Sequence, residues 1–192
     1  MKLMIRIAVL GDIGSGKSYV AKKFGYPVFN ADIEVVKIYK KSRNCYKKLK
    51  KIFPKYIISF PIQKKELSNA IMINKNNIKK INKIVHPEVQ ASMKKFIKKN
   101  KKKRIIILDI PLLLENKINN KDDILVFVEA NKKEINKRLK KRRNYNKKTF
   151  NKLKKLQLPL ELKKKKSNFI IKNNFKSHFI KKNVKSILER LL

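Results

Sequence analysis

Residues 11–18 read Gly11-Asp12-Ile13-Gly14-Ser15-Gly16-Lys17-Ser18, a glycine and four residues followed by Gly-Lys-Ser. Glycine lets the backbone curl until successive N–H groups point inward, and such a concavity takes up phosphate oxygens. A lysine placed straight after the turn can bridge β- and γ-phosphates, and the hydroxyl of Ser18 can hold Mg²⁺. The apolar run before it, Leu3 to Leu10, has the character of a buried parallel strand. After it, Tyr19-Val20-Ala21-Lys22-Lys23-Phe24 reads as the start of a helix, whose N-terminal partial charge favours an anion. A Gly/Ser turn with no ligand would need neither the lysine nor the strand. The spacing predicts a nucleoside triphosphate site lined by residues 11–19.

Ligands of an open parallel sheet sit at the carboxyl ends of its strands. One strand candidate ends at Asn30-Ala31-Asp32 and another, beginning at Arg104, ends at Asp109, so two carboxylates join the phosphate site on one rim. Phosphoryl transfer needs an aligned acceptor oxygen, Mg²⁺, and positive charge on the transferred group. Asp32 suits the orientation and deprotonation of an acceptor hydroxyl, with a helix N-cap as the alternative. Asp109 follows four apolar residues and suits Mg²⁺, directly or through water; otherwise it caps the turn before Pro111. Arg138 and Arg142 stand four apart, share a helix face, and can neutralise phosphoryl charge, with Arg142 the preferred residue. A solvated basic face is the competing account of both. His86 is either an acceptor contact or a residue packed at a helix junction, and His178 receives no role.

These residues need a frame. Strands are expected at 3–10, 27–30, 104–109, 124–128 and 168–172, each separated by a helical stretch, which predicts a parallel sheet of about five strands flanked by helices. Residues about 45–100 show no strand but keep helical spacing, as in Ile78, Ile81, Val85 and then Val89, Met93, Phe96. Pro87 interrupts that series, so one helix is expected to end near Val85 and another to begin at Pro87. Residues about 131–165 form a second, intensely basic helical excursion. One domain over residues 1–192, with an acceptor-binding subdomain at about 45–100 and a lid at about 131–165, suits a small-molecule kinase.

Composition narrows the class. Fifty-three Lys and Arg stand against 13 Asp and Glu, a formal charge of +40. Such a balance invites a nucleic-acid reading. The excess is mostly lysine on nearly every helix, however, and it comes with abundant Ile and Asn. These are the residues A/T-rich codons specify, so base-composition drift accounts for the charge without a polyanionic partner. No run approaches the ~18–20 apolar residues that cross a bilayer. Cys45 is the single cysteine, and no Cys/His cluster offers a zinc site. A cytoplasmic protein with no membrane partner is the expectation.

Several segments together resemble the dephospho-CoA kinase family. Asn30-Ala31-Asp32 matches Asp-Ala-Asp, Val85-His86-Pro87 a His-Pro motif, and Pro111-Leu112-Leu113-Leu114-Glu115 the pattern Pro-Leu-Leu-x-Glu. Arg138-Leu-Lys-Lys-Arg142 matches paired lid arginines, Gln157-Leu158-Pro159 through Lys163 a Gln-x-Pro-x-x-x-Lys segment, and Ile171-Lys172-Asn173-Asn174 an Ile-Asp-Asn-Asn. The resemblance implies a P-loop kinase fold and transfer of the ATP γ-phosphate, with Mg²⁺, to the ribose 3′-hydroxyl of dephospho-CoA. It implies Asp32 as catalytic acid–base residue, Lys17 and Ser18 at the nucleotide, Arg142 as a lid arginine, and Asn173 and Asn174 beside the base. Arg138 and His86 are expected at the acceptor.

Four departures stand out. Asn30 replaces the first Asp, Val36 stands where an acceptor-contacting arginine is expected, Tyr19 replaces a Thr, and Asp12 replaces a Gly inside the loop. A carboxylate at position 12 disfavours a polyphosphate unless it faces solvent. Lys37 adjoins Val36 but points about 100° away on a helix. Another nucleotide or metabolite kinase, and a basic nucleic-acid-associated P-loop protein, are the alternative readings.

Overall fold

A computed structural model of the chain describes residues 4–74, 76–141, 150, 154 and 156–192. Five strands carry the chemistry: β1 (Ile5–Gly11), β2 (Val28–Asn30), β3 (Ile105–Asp109), β4 (Ile124–Ala130) and β5 (Phe169–Asn173). They form one sheet in the order β2-β3-β1-β4-β5, parallel at every pairing. The apolar runs Ile105-Ile106-Ile107 and Leu125-Val126-Phe127-Val128 are buried on both faces, as a covered parallel sheet requires. All five expected strands are present, with ends shifted by one or two residues.

Helices α1 (Lys17–Lys23), α6 (Lys132–Lys140), α7 (Leu160–Lys165) and α8 (Ser177–Leu191) belong to the same compact unit as the sheet. Val20, Ala21 and Phe24 from the α1 segment and Ile180, Val184 and Ile187 from α8 close over Ile7, Val9, Ile107, Val126, Val128 and Ile171. At about 25 cal/mol per Å² of apolar surface removed from water, such a cluster is the main force holding the sheet's carboxyl rim in place.

The second compact unit spans Ala31–Lys99 and is helical: α2 (Ala31–Lys41), α3 (Arg43–Ile52), α4 (Lys64–Ile73) and α5 (Asn77–Lys99). It starts nearer to β2 than residue 45, because β2 passes directly into α2 and α2 packs along α5. Its core gathers Ile38, Cys45, Leu49, Phe53, Ile57, Ile62, Leu67, Ala70, Ile81 and Val85. Ser42 caps α3 by accepting the Cys45 N–H at 3.0 Å. Glu66 closes a capping box on α4, and its other oxygen accepts the N–H groups of Ile58 and Ser59.

The expected break at Pro87 is absent. Helix α5 runs 23 residues straight through it. An internal proline costs roughly 3 kcal/mol. Burial of Ile81 and Val85 before Pro87 and of Met93 after it offsets that cost by anchoring both halves on one apolar face. His86 is consequently a mid-helix, exposed residue rather than one packed at a junction.

Candidate active site

The register of the sheet assembles the rim. Gly11 lies beside Val128, Asn30 beside Asp109, and Ala130 beside Asn173, so three strand ends deliver polar groups around the loop that follows β1. The loop has no room for side chains at its outer glycines. A Cβ on Gly11 would stand 2.6 Å from the Val128 carbonyl oxygen and 2.8 Å from Ser15 Oγ, and one on Gly16 would strike the Asn173 amide. Both residues hold positive φ, 146° and 91°, which only glycine adopts readily. Gly14 backs onto α6, where its Cβ would meet Ile135 and Leu139 at 3.1 Å.

Lys17 Nζ donates to the carbonyls of Gly11 at 3.2 Å and Asp12 at 2.7 Å, which keeps the ammonium at the loop. Asp12 corrects the expectation that its carboxylate would need solvent. It is 5% exposed, and its Oδ1 accepts the Ile13 N–H at 2.7 Å. An acid is tolerated here because it folds onto its own loop and satisfies a backbone donor.

Asn173 is the brace of the loop. Buried to 4% exposure, it donates from Nδ2 to the Ser15 carbonyl at 2.7 Å and accepts the Phe175 N–H on Oδ1 at 2.7 Å. Asn174 is exposed, and its side chain accepts the Lys176 N–H at the start of α8. Phe175, at a left-handed φ of 62°, faces Arg138, whose guanidinium carbon is 4.3 Å from the ring centroid. Arg138 therefore groups with the Asn173–Phe175 end of the site. Tyr19 is exposed; its N–H is engaged by the Gly16 carbonyl, and its hydroxyl donates to Ser177 Oγ at 2.9 Å.

Asp109 is 2% exposed at the end of β3, where the Asn30 side-chain amide donates to its Oδ2. An amide in place of a carboxylate at position 30 thus hydrogen-bonds Asp109 without like-charge repulsion. Ser18 is exposed on the first turn of α1. In the helical unit, Asp32 is exposed at the second position of α2, inside the helix rather than capping it. Val36 is exposed on the same helix, and Lys37 is bound to Glu34 at 2.6 Å, so it leaves position 36 without a cationic substitute. Arg142 lies outside the described residues.

Two residues escaped the sequence-based assignment. Glu115, on the connection after β3, accepts Lys163 Nζ at 2.5 Å and the Leu158 N–H at 2.9 Å through the same Oε1. Burial raises the Glu115 pKa, but Lys163 and the N–H donors outweigh it and hold the carboxyl below its ordinary value. Their motifs, Pro-Leu-Leu-x-Glu and Gln-x-Pro-x-x-x-Lys, were visible. Nothing in their spacing shows that the two ends meet.

Comparison with known proteins gives the chain a family. The family model for dephospho-CoA kinase covers residues 5–178. A dephospho-CoA kinase from Wolbachia pipientis is 35% identical over 96% of this chain and 97% of its own length. One from Fusobacterium nucleatum is 32% identical over the full length of both. Among solved structures, TT1252 from Thermus thermophilus superposes with a TM-score of 0.82 and 26% identity over the whole of both chains. A shikimate kinase from Bacteroides thetaiotaomicron shares the fold at a TM-score of 0.52 and 13% identity, covering 98% of each chain. With a sheet and phosphate loop of this kind, the family model over residues 5–178 and relatives 32–35% identical over nearly the whole chain make it a member of the dephospho-CoA kinase family.

Proposed function

We propose that the chain transfers the γ-phosphate of ATP to the ribose 3′-hydroxyl of dephospho-CoA, giving coenzyme A and ADP. Family membership carries the reaction. The observation that carries the site is the convergence on one rim of the Lys17 loop, the buried Asp109 and the Asn173 brace. Lys17, held at the loop by carbonyls that bind it only weakly compared with a phosphate, turns to the β- and γ-oxygens when ATP enters. Asn173 fixes the loop from behind, and Arg138 and Phe175 offer a flat cationic–aromatic surface to the nucleotide base.

Mg²⁺ fits this donor set. It asks for one or two protein oxygens and takes the rest from phosphates and water. Asp109 and the Ser18 hydroxyl supply those, and among the described residues no cluster of three His, Cys, Asp or Glu competes as a metal cage. When bound, the ion neutralises charge on the phosphates. Asp32 accepts the proton of the acceptor hydroxyl, Arg142 balances charge on the phosphoryl group, and His86 contacts the acceptor. Residues 31–99 serve as the acceptor-binding part and residues about 131–165 as the lid. Among the described residues no helix is long and apolar enough to cross a membrane. With a buried, unpaired Cys45 thiol as well, we place the protein in the cytoplasm.

Asp32→Asn tests the assignment. A general base contributes about 10²- to 10⁴-fold. Turnover should fall by that factor while ATP affinity stays within about twofold of wild type. Retained turnover excludes Asp32 as the base.

A further inference from the structure

A buried ion pair lies behind the phosphate site. Lys163 is 2% exposed, far below what an unpaired lysine tolerates, and Glu115 Oε1 holds both its ammonium and the Leu158 N–H. The three partners come from two places in the chain. Glu115 sits on the connection that leaves β3 just after Asp109, whereas Leu158 and Lys163 belong to the segment that enters α7. Helix α7 packs against β1, the strand that ends in Gly11.

These pieces share a wall with the phosphate loop. A cavity of about 10 Å³ is bounded by Gly11, Lys17, Pro111, Leu112, Gln157 and Lys163, among others. The loop after Asp109, the α7 entry and the Lys17 anchor thus line one small shared pocket. The loop is also under strain: Leu112 holds a left-handed φ of 58°, which a branched side chain keeps only when its surroundings impose it. Glu115 lies three residues further on, and its bonds to Leu158 and Lys163 tie that end of the loop down.

We propose that Glu115 and Lys163 are positioning residues for phosphoryl transfer. Their bond, with the Leu158 N–H, clamps the loop after Asp109 against the phosphate loop and so fixes the distance between Lys17 and Asp109. The proposal rests on the phosphoryl-transfer reading of this site. Both side chains are nearly buried and bonded to each other, so they act through the loops they join.

The test separates positioning from simple stability. Replacing both members of a buried pair by apolar residues of similar size often leaves stability unharmed, whereas removing one does not. Glu115→Met/Lys163→Met should therefore melt close to wild type yet lose the clamp. The expected result is kcat per folded molecule reduced about tenfold or more, with KM for dephospho-CoA within about threefold. Glu115→Asp keeps the charge pair and the fold but is too short to grip both donors, and its kcat should fall about fivefold. Wild-type kcat in either folded variant overturns the proposal.

A second readout needs no turnover. Amide hydrogen exchange across residues 11–17 should quicken by about tenfold in the double variant. Unchanged exchange overturns the clamp as well. Wild-type protein run alongside shows whether a failure belongs to the reaction or to the pair, since inactivity of wild type toward dephospho-CoA counts against the reaction alone.

Discussion

Replacing Asn173 by alanine removes the brace between β5 and the phosphate loop without touching a phosphate contact. Two hydrogen bonds of 2.7 Å are lost, one to the Ser15 carbonyl and one from the Phe175 N–H. Ser15 is fully buried, so its carbonyl loses its partner with little water to replace it. An orphaned buried group costs roughly 1–3 kcal/mol, and a net hydrogen bond about 0.5–1.5 kcal/mol. Phe175 is only half-buried, so its N–H belongs at the lower end. Together the loss is about 2–3 kcal/mol, equivalent to a melting temperature lower by roughly 5–10 °C for a chain of this size. The loop is one of the regions that relaxes, so part of the loss appears in ATP affinity: about tenfold weaker, with roughly a hundredfold as the ceiling. Calorimetric titration with ATP measures it directly. An Asn173→Ala protein that binds ATP within about twofold of wild type would refute the bracing role.

Val36→Arg should lower KM for dephospho-CoA by up to about tenfold, the value of one charge-assisted hydrogen bond at an exposed site, with little change in KM for ATP; steady-state kinetics against each substrate checks it. Asp12→Asn keeps an oxygen for the Ile13 N–H but removes a negative charge from the loop, so ATP should bind several-fold more tightly by titration, roughly 1 kcal/mol. Burial raises the Glu66 and Glu115 pKa values, but backbone N–H donors around Glu66 and Lys163 beside Glu115 lower them below the usual 4.5. Because both are depressed on folding, their contribution is fully present above pH about 4.5 and is lost as pH falls below it. Melting curves should show acid destabilisation in that window, shallower in Glu66→Gln. Finally, a charge of +40 repels itself, and salt shortens its reach to about 8–10 Å, so the melting temperature should rise between low and physiological ionic strength.

Much of this architecture is written locally. The runs Ile105–Leu108 and Leu125–Val128 are short, apolar and continuous, and a strand buried on both faces needs nothing else. The Gly11–Ser18 spacing carries its own mechanism, and Asp109 follows from strand polarity. What escaped is decided by distant contacts. Pro87 breaks a helix by local rules, yet α5 continues because Ile81, Val85 and Met93 are buried on either side. Asp12 reads as repulsive until its carboxylate is seen on the Ile13 N–H. The stack of Arg138 on Phe175 depends on the fold of residues nearly forty positions away, and no local pattern shows it. The Glu115–Lys163 bond depends on two connections meeting, which no period or spacing encodes.

One assay decides whether this loop and rim move phosphate from ATP to dephospho-CoA. ADP release is followed with MgATP in the presence and absence of dephospho-CoA, and phosphorus NMR locates the new phosphate. Acceptor-dependent ADP is expected, in equal amount to a product phosphorylated at the ribose 3′ position. ADP no faster than in the acceptor-free control, or a phosphate at another position, would contradict it.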